Sequence, residues 1–296
     1  MKYDEVLEIN GIKLTKKYIQ SLNQKEREDL IDPIFEIIRK NGWMYMDNIS
    51  SIKKSYKNLI EYQPDLSLNE LFNNSSLATD VCKYYCHSFY DATELNKNTM
   101  IENFNNDDIL KRIIKNRLGL DWLISDGVNE SFNLSFKMIA VQGQRSMRFV
   151  NQTSIFKPSI AKYMALKYSE KNDVIFDPSC GFGARLLGAT TANRKYIGTD
   201  PLTVPELNVM CNELGISANL IHCGSENYCG DENSIDLVWT SPPYYKQEFY
   251  SKDKTQAYNN GEDYFYNTYW KKTLDNAKFM LKPGKWFGLN IKNVPK

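Results

Sequence analysis

No apolar stretch of about eighteen residues runs anywhere in this 296-residue chain, so a membrane span is excluded. Nor does Met1-Lys2-Tyr3-Asp4-Glu5 open onto a secretory signal. An excess of one charge is missing too. Lys and Arg number 37 against 36 Asp and Glu, a net +1, so any basic surface must be local. The six cysteines are scattered and form no disulfide framework, which points to a reducing, cytoplasmic setting. Cys82 and Cys86, with His87 beside them, stand at helical spacing, but no second Cys or His cluster completes four zinc ligands. They read as a packed helix face, and no metal is expected. No internal repeat or low-complexity linker interrupts the chain. What remains is ordinary globular composition, 42% hydrophobic and 25% charged, with length for one large domain or two.

Two nucleotide-binding signatures are also absent, and the place where they fail is informative. The short apolar strand Asp173-Val174-Ile175-Phe176-Asp177 runs into Pro178-Ser179-Cys180-Gly181-Phe182-Gly183, and Ala184-Arg185-Leu186-Leu187 then opens a helix. Strand, glycine loop and helix bring backbone close to a nucleotide-like ligand. Gly181 and Gly183 remove the Cβ atoms that would block that approach. The next glycine falls at Gly188, which breaks the dinucleotide spacing, and no Gly-Lys-Ser/Thr follows to make a phosphate loop. An acidic strand end ahead of the glycines suits a cationic, hydroxyl-rich ligand better than a pyrophosphate. S-adenosylmethionine, with its ammonium, sulfonium and ribose, fits that description. The next strand, Lys195 to Thr199, ends at Asp200-Pro201, and a carboxylate about twenty residues past the glycine loop is the usual ribose partner.

A third strand end carries different chemistry. Ile235-Asp236-Leu237-Val238-Trp239 reads as a buried parallel strand, and Thr240-Ser241-Pro242-Pro243-Tyr244-Tyr245 follows it. Ser241 offers a side-chain oxygen, and the Pro242 carbonyl has no competing N–H on the next residue. The two prolines hold that backbone rigid. Tyr244 adds an aromatic face. Such a pocket can accept hydrogen bonds from a planar amino group while stacking on the ring that carries it.

On these motifs the sequence resembles the amino-directed DNA methyltransferases, which methylate N4 of cytosine or N6 of adenine. Asp177 to Gly183 is similar to their cofactor loop, with Ser179 where Phe is common, and Ser241-Pro242-Pro243-Tyr244 is similar to their catalytic motif. Phe156-Lys157-Pro158, followed by Ile160 to Met164, resembles the segment that covers the methionine part of the cofactor. The resemblance spans roughly residues 155 to 291. It implies an α/β fold with a doubly wound, mostly parallel, Rossmann-like methyltransferase sheet. It implies S-adenosylmethionine as cofactor, held by Phe156, Lys157, Pro158, Asp177, Pro178, Cys180, Gly181, Gly183, Asp200, Pro201 and, near the adenine, Gly224 and Ser225. It implies catalysis by Ser241, Pro242, Pro243 and Tyr244, and Ser at 241 leans toward cytosine N4 over adenine N6. The partner would be duplex DNA with its target base flipped out. Tyr244 is then the stacking surface, with Tyr245 alongside. Lys246, Arg145 and Arg148 are candidates for contacts to nucleic acid. Restriction-modification, phage self-protection and orphan methylation all share this signature. An RNA or nucleotide amino-methyltransferase, a protein-glutamine methyltransferase, and a cofactor-binding DNA-binding protein without catalysis remain as alternatives.

Organisation changes near residue 150, which divides a mainly helical 1–150 from a catalytic 151–296. In the first part Val6 to Leu14 reads as a hairpin on an Asn-Gly turn. Ile31 to Arg39 reads as a helix, Ser67-Leu68-Asn69-Glu70 as a capping box, and the Asn-rich Asn103 to Asn106 as a loop. Asp107-Asp108 starts a helix ending in basic residues. Its Lys111 to Arg117 cluster is a possible DNA-reading element, and Lys53 to Lys57 is a second basic run. In the second part a helix over Ser159 to Ser169 precedes five alternating strands. Pro283-Gly284 is expected to turn the chain before the fifth strand, Trp286 to Ile291. The sheet edge beside that strand is expected to be open. The polar stretch from Lys246 to Asn260 is long enough to be functional, ordering on DNA or over the flipped base.

Overall fold

A computed structural model describes residues 1–67, 75–94, 96–120, 133–150 and 153–291. The chain forms two compact units, Met1–Asp47 with Tyr90–Thr153, and Asn48–Phe89 with Ser154–Lys296. The expected cut near residue 150 therefore coincides with only the last of three crossings. Residues 48–89, read as part of the helical half, belong to the sheet unit instead.

In the first unit the Asn-Gly turn is present: Asn10 and Gly11 both take positive φ and join β1 (Glu8–Ile9) to β2 (Ile12–Lys13). Helices α1 (Lys16–Ser21), α2 (Gln24–Glu28) and α3 (Ile31–Asn41) follow. In the sheet unit come α4 (Ile49–Glu61) and α5 (Thr79–Tyr85), then back in the first unit α6 (Met100–Asn105) and α7 (Asp107–Arg117). Asn103 is helical and buried, not in a loop. Thr99 and Glu102 form a capping box that starts α6, and Asn106 caps α7 through the Ile109 N–H. The box expected at Ser67 to Glu70 lies, beyond Ser67, outside the described residues. Trp43 anchors this unit's core, edge-on to Tyr90, Phe104 and Phe136.

The second unit holds the sheet. After α8 (Gln144–Ser146, first unit) come α9 (Pro158–Tyr168), β3 (Val174–Asp177), α10 (Ala184–Thr191), β4 (Lys195–Thr199), α11 (Val204–Leu214), β5 (Asn219–Ile221), β6 (Ile235–Thr240), α12 (Lys271–Met280) and β7 (Leu281–Leu289). The strands are all parallel, in the order β5-β4-β3-β6-β7. This is a doubly wound, Rossmann-like sheet. Every residue of β6 is buried, as its apolar run requires of a strand covered on both faces. Phe176 and Val238 pair across β3 and β6 and pack with Ile235, Ala277 and Met280.

One expectation changes here. Pro283-Gly284 does not separate helix from strand. Ile235 pairs with Leu281 but Leu237 pairs with Trp286, so the two residues sit in a bulge inside β7, where Gly284 takes φ +76°. A π-helical turn at Tyr264–Trp270 leads into α12. The open edge is as expected: among the described residues nothing pairs with the outer side of β7, and Trp286 and Ile291 are exposed there.

Helices α9 and α10 approach closely because Gly188 has no side chain. A Cβ there would lie 2.4 Å from Ala161 Cβ and 2.6 Å from the Ala161 backbone. Gly188→Ala should therefore destabilise the protein by about 1–3 kcal/mol or more, despite its better helix propensity. A urea melt checks this, and an unchanged midpoint would show the helices free to part. The buried Lys162 amine closes the end of α4, donating to the Leu59 and Ile60 carbonyls at 2.9 Å each.

Asp236 ties three strands together. It accepts from Val174 N at 3.0 Å and from Lys282 Nζ at 2.7 Å, with Lys285 Nζ at 3.5 Å. Burial alone would raise its pKa, but the bonds from Lys282 and the Val174 N–H outweigh that and hold the carboxyl below its usual range. Its contribution to stability is thus complete above about pH 4 and is lost as pH falls through the lower folded-state value. Thermal melts of Asp236→Asn should show a shallower loss of stability between neutral and strongly acid pH than the unsubstituted chain. Parallel curves would remove the assignment.

Candidate functional site

The strand order reverses between β3 and β6, and a doubly wound sheet opens its crevice at the carboxyl ends on either side of that point. The loops read from the sequence as significant leave those two neighbouring strands. Pro178, Ser179, Cys180 and Gly181 line one side of a single cleft, and Ser241, Pro242, Pro243 and Tyr244 line another. The cleft is open to solvent at its mouth.

The glycine loop is held from beneath. Cys180 N donates to the Thr199 carbonyl at 3.0 Å, Thr199 Oγ1 to the Pro178 carbonyl at 3.0 Å and Thr203 Oγ1 to the Gly181 carbonyl at 2.6 Å. Gly181 takes φ +49° and gives its N–H to Asp200 Oδ2 at 3.1 Å. Asp200 Oδ1 accepts from the N–H groups of Leu202 and Thr203, so one carboxylate fixes both loops and still lines the cleft. The Ser179 hydroxyl lies 3.3 Å from that of Tyr269, whose phenol burial pushes up to about 12. Burial, with Asp200 and Asp177 nearby, raises the Cys180 thiol well above its usual range, so it lines the cleft as a neutral group.

Several candidate residues serve the site without lining it. Asp177 is fully buried under the loop. It accepts from Arg185 Nε at 2.7 Å, from the Tyr196 hydroxyl at 2.7 Å and from Ser179 N at 3.1 Å, which leaves it committed to the protein. Arg185 also bonds the Ser179 carbonyl and sits against the Phe156 ring, 5.5 Å from its centroid. Gly183 takes φ +81° at the start of α10, and a Cβ there would lie 2.6 Å from Leu207 Cδ2, so its role is packing. Phe156 lines the cleft, whereas Lys157 and Pro158 form the first turn of α9. Asp200, Pro201, Gly224 and Ser225 line it, and Ser225 Oγ lies 2.7 Å from Thr273 Oγ1.

On the other side, Tyr245 does not line the cleft and packs against Phe265 and Tyr266, and Lys246 pairs with Glu262 at 3.2 Å on the surface. Arg145 and Arg148 belong to the helical unit, where burial lowers the Arg145 pKa. Of the Lys111 to Arg117 cluster, Lys111 pairs with Asp32 at 2.8 Å and Arg117 is buried. Cys82 lies in α5 and Cys86 follows its last residue, both buried, and among the described residues no group of three or more His, Cys, Asp or Glu is arranged for a metal. No helix among the described residues is long and apolar enough to cross a membrane.

The stretch after Tyr245 is a folded wall. The Tyr258 hydroxyl receives Tyr250 N at 2.8 Å and Ser251 N at 2.9 Å and donates to the Ser251 carbonyl at 3.1 Å. Glu248 Oε2 accepts from the Tyr250 hydroxyl at 2.8 Å and from Tyr244 N at 3.3 Å. Glu248, Tyr250, Thr255, Gln256 and Ala257 all line the cleft.

The lining residues that the sequence does not single out include Arg185, Glu226 and Asn290. Glu226 is 5% exposed; its Oε1 accepts from the Tyr264 hydroxyl at 3.1 Å, while its buried Oε2 has no partner. Its position after a strand end was the one signal available. Asn290 donates through Nδ2 to Ser241 Oγ at 3.1 Å, and nothing in the spacing of residues 49 apart announces that pair.

Among solved structures, the chain is similar to a Methanococcus maripaludis protein assigned as an S-adenosylmethionine-dependent methyltransferase, at 14% identity and TM-score 0.31 over 45% of this chain and 54% of that one. It is similar to an rRNA methylase from Streptococcus thermophilus at 16% and 0.31, over 46% and 72%. Geranyl diphosphate methyltransferase in complex with S-adenosylmethionine gives 15% and 0.27, over 36% and 42%. The chain spans about half the length of the first of these. No family model and no curated protein matches the sequence. The fold rests on the strand order itself.

Proposed function

We propose that the protein is an S-adenosylmethionine-dependent methyltransferase acting on the exocyclic amine of a base flipped out of DNA, with N4 of cytosine favoured over N6 of adenine. The observation that carries this reading is the meeting of the glycine loop and Ser241-Pro242-Pro243-Tyr244 in one cleft.

The residues present fit the cofactor. Glu226 Oε2 is a buried acceptor without a donor, suited to an adenine amino group, and Asp200 suits ribose hydroxyls. Phe156 and the Pro178 to Gly181 backbone would hold the methionine end. When bound, S-adenosylmethionine supplies an electrophilic methyl group on a positively charged sulfur. An exocyclic amine is a poor nucleophile because its lone pair is delocalised into the ring. Ser241 Oγ and the Pro242 carbonyl oxygen accept its two N–H bonds and draw the nitrogen toward tetrahedral geometry, which returns the lone pair. Tyr244 stacks on the base. The proton the amine sheds leaves along its bond to the Pro242 carbonyl oxygen to water at the mouth. Acceleration comes from positioning and a preset electrostatic environment. The wall that runs from Glu248 to Ala257 limits water beside the base.

Incubation with unmodified genomic DNA, RNA and labelled cofactor, followed by nucleoside analysis, tests this. N4-methylcytosine in DNA is the expected product. N6-methyladenine would move the target base. Label confined to RNA or to protein would overturn the DNA reading.

A further inference from the structure

Asn290 lies just past β7 and reaches back across the seam with β6. Its backbone N–H donates to the Thr240 carbonyl at 2.9 Å, which fixes the residue beside the catalytic motif. Its side-chain Nδ2 donates to Ser241 Oγ at 3.1 Å, and both side chains line the cleft. A serine hydroxyl has one proton and two acceptor lone pairs, and it rotates to suit its partners. Once the Asn290 amide occupies one lone pair, the hydroxyl proton cannot point at Asn290 without setting donor against donor. The proton and the second lone pair are left to face the cleft.

We infer that Asn290 sets the hydrogen-bond polarity of Ser241 and makes the site select an amino group standing next to a ring acceptor. This deepens the reading proposed above and rests on it. Ser241 then keeps one lone pair for an amine N–H and turns its O–H donor to the neighbouring ring atom, while the Pro242 carbonyl accepts the other amine N–H. That arrangement matches the edge of cytosine or adenine, where an amino group neighbours an unprotonated ring nitrogen. A base whose amine neighbours a ring N–H would meet the Ser241 proton donor to donor and be disfavoured. Asn290 touches no reacting atom in this scheme. It is a positioning residue acting through Ser241.

The test is a cycle of one substitution against one altered base. Asn290→Asp replaces the donor with an acceptor, so the Ser241 proton turns to the carboxylate and away from the cleft. The altered base is 3-deazacytosine, or 1-deazaadenine if adenine is the target, placed in a duplex the unsubstituted protein methylates. Equilibrium binding of the duplexes is measured with S-adenosylhomocysteine present, alongside single-turnover rates. The unsubstituted protein should lose about tenfold in affinity on the deaza duplex, the worth of one hydrogen bond. Asn290→Asp should lose a similar factor on the normal base and nothing further on the deaza base. S-adenosylhomocysteine affinity and melting temperature should stay unchanged, since the backbone bond to Thr240 remains. Asn290→Ala, which leaves the hydroxyl free to rotate, should fall between the two. Independent, additive losses would overturn the assignment of Asn290 alone. Failure of the unsubstituted protein to methylate any duplex would overturn the functional reading itself.

Discussion

Ser241→Ala is expected to lower single-turnover methyl transfer by about 10²–10³-fold, the cost of removing one preset hydrogen-bonding group from a reaction centre. Affinity for S-adenosylhomocysteine should not change, because the groups that suit the cofactor belong to other strand ends: Asp200, Glu226 and the Pro178 to Gly181 loop. The distinction matters mechanistically. A loss confined to the chemical step places Ser241 on the amine, whereas a matching loss of cofactor affinity would make it part of the cofactor's wall. Isothermal titration beside the transfer assay separates the two. The Ser241 side chain is bonded only by Asn290 among the contacts of the described residues, so its removal leaves the β6 ladder intact.

The second large effect is on stability. Arg185→Met should cost about 3–5 kcal/mol in a urea melt, because it leaves the Asp177 carboxylate buried without its counter-charge. The pair is 6% and 0% exposed, so water cannot replace the lost partner. Adding Asp177→Asn to that variant should recover much of the loss, since a buried ion pair removed together is far less costly than one broken. A double variant as unstable as the single one would show that Arg185 acts through Ser179 and Phe156 instead. The same substitution should slacken the glycine loop, so cofactor affinity should fall with stability.

Asp177 was expected to meet the cofactor, and it sits at the correct strand end for that. Whether a carboxylate at a strand end faces ligand or protein depends on what lies beneath it. Here Arg185 returns under the loop from the first helical turn, and Tyr196 arrives from the neighbouring strand. Gly183 likewise fits the motif by spacing but is required by Leu207 and Met210, side chains of the next helix. Glu226 stood one residue beyond the expected Ser225. Its importance comes from an oxygen left unpaired by burial, a property no linear pattern carries.

By itself the sequence determined the alternation of apolar β-type runs with helices after residue 150. It determined the glycine and proline punctuation at their ends, and hence a parallel doubly wound sheet with its chemistry at the carboxyl edge. Those features are local: hydrophobic periodicity, positive-φ glycines and rigid prolines act over a few residues. Only the tertiary structure decided that residues 48–89 join the sheet unit, where Lys162 closes α4 and Tyr85 bonds Glu213. It alone decided that Asp177 is spent inside the protein and that Asn290 touches Ser241. The reason is that hydrogen bonds between residues dozens of positions apart depend on strand order and register, which packing of the whole sheet selects and no short segment encodes.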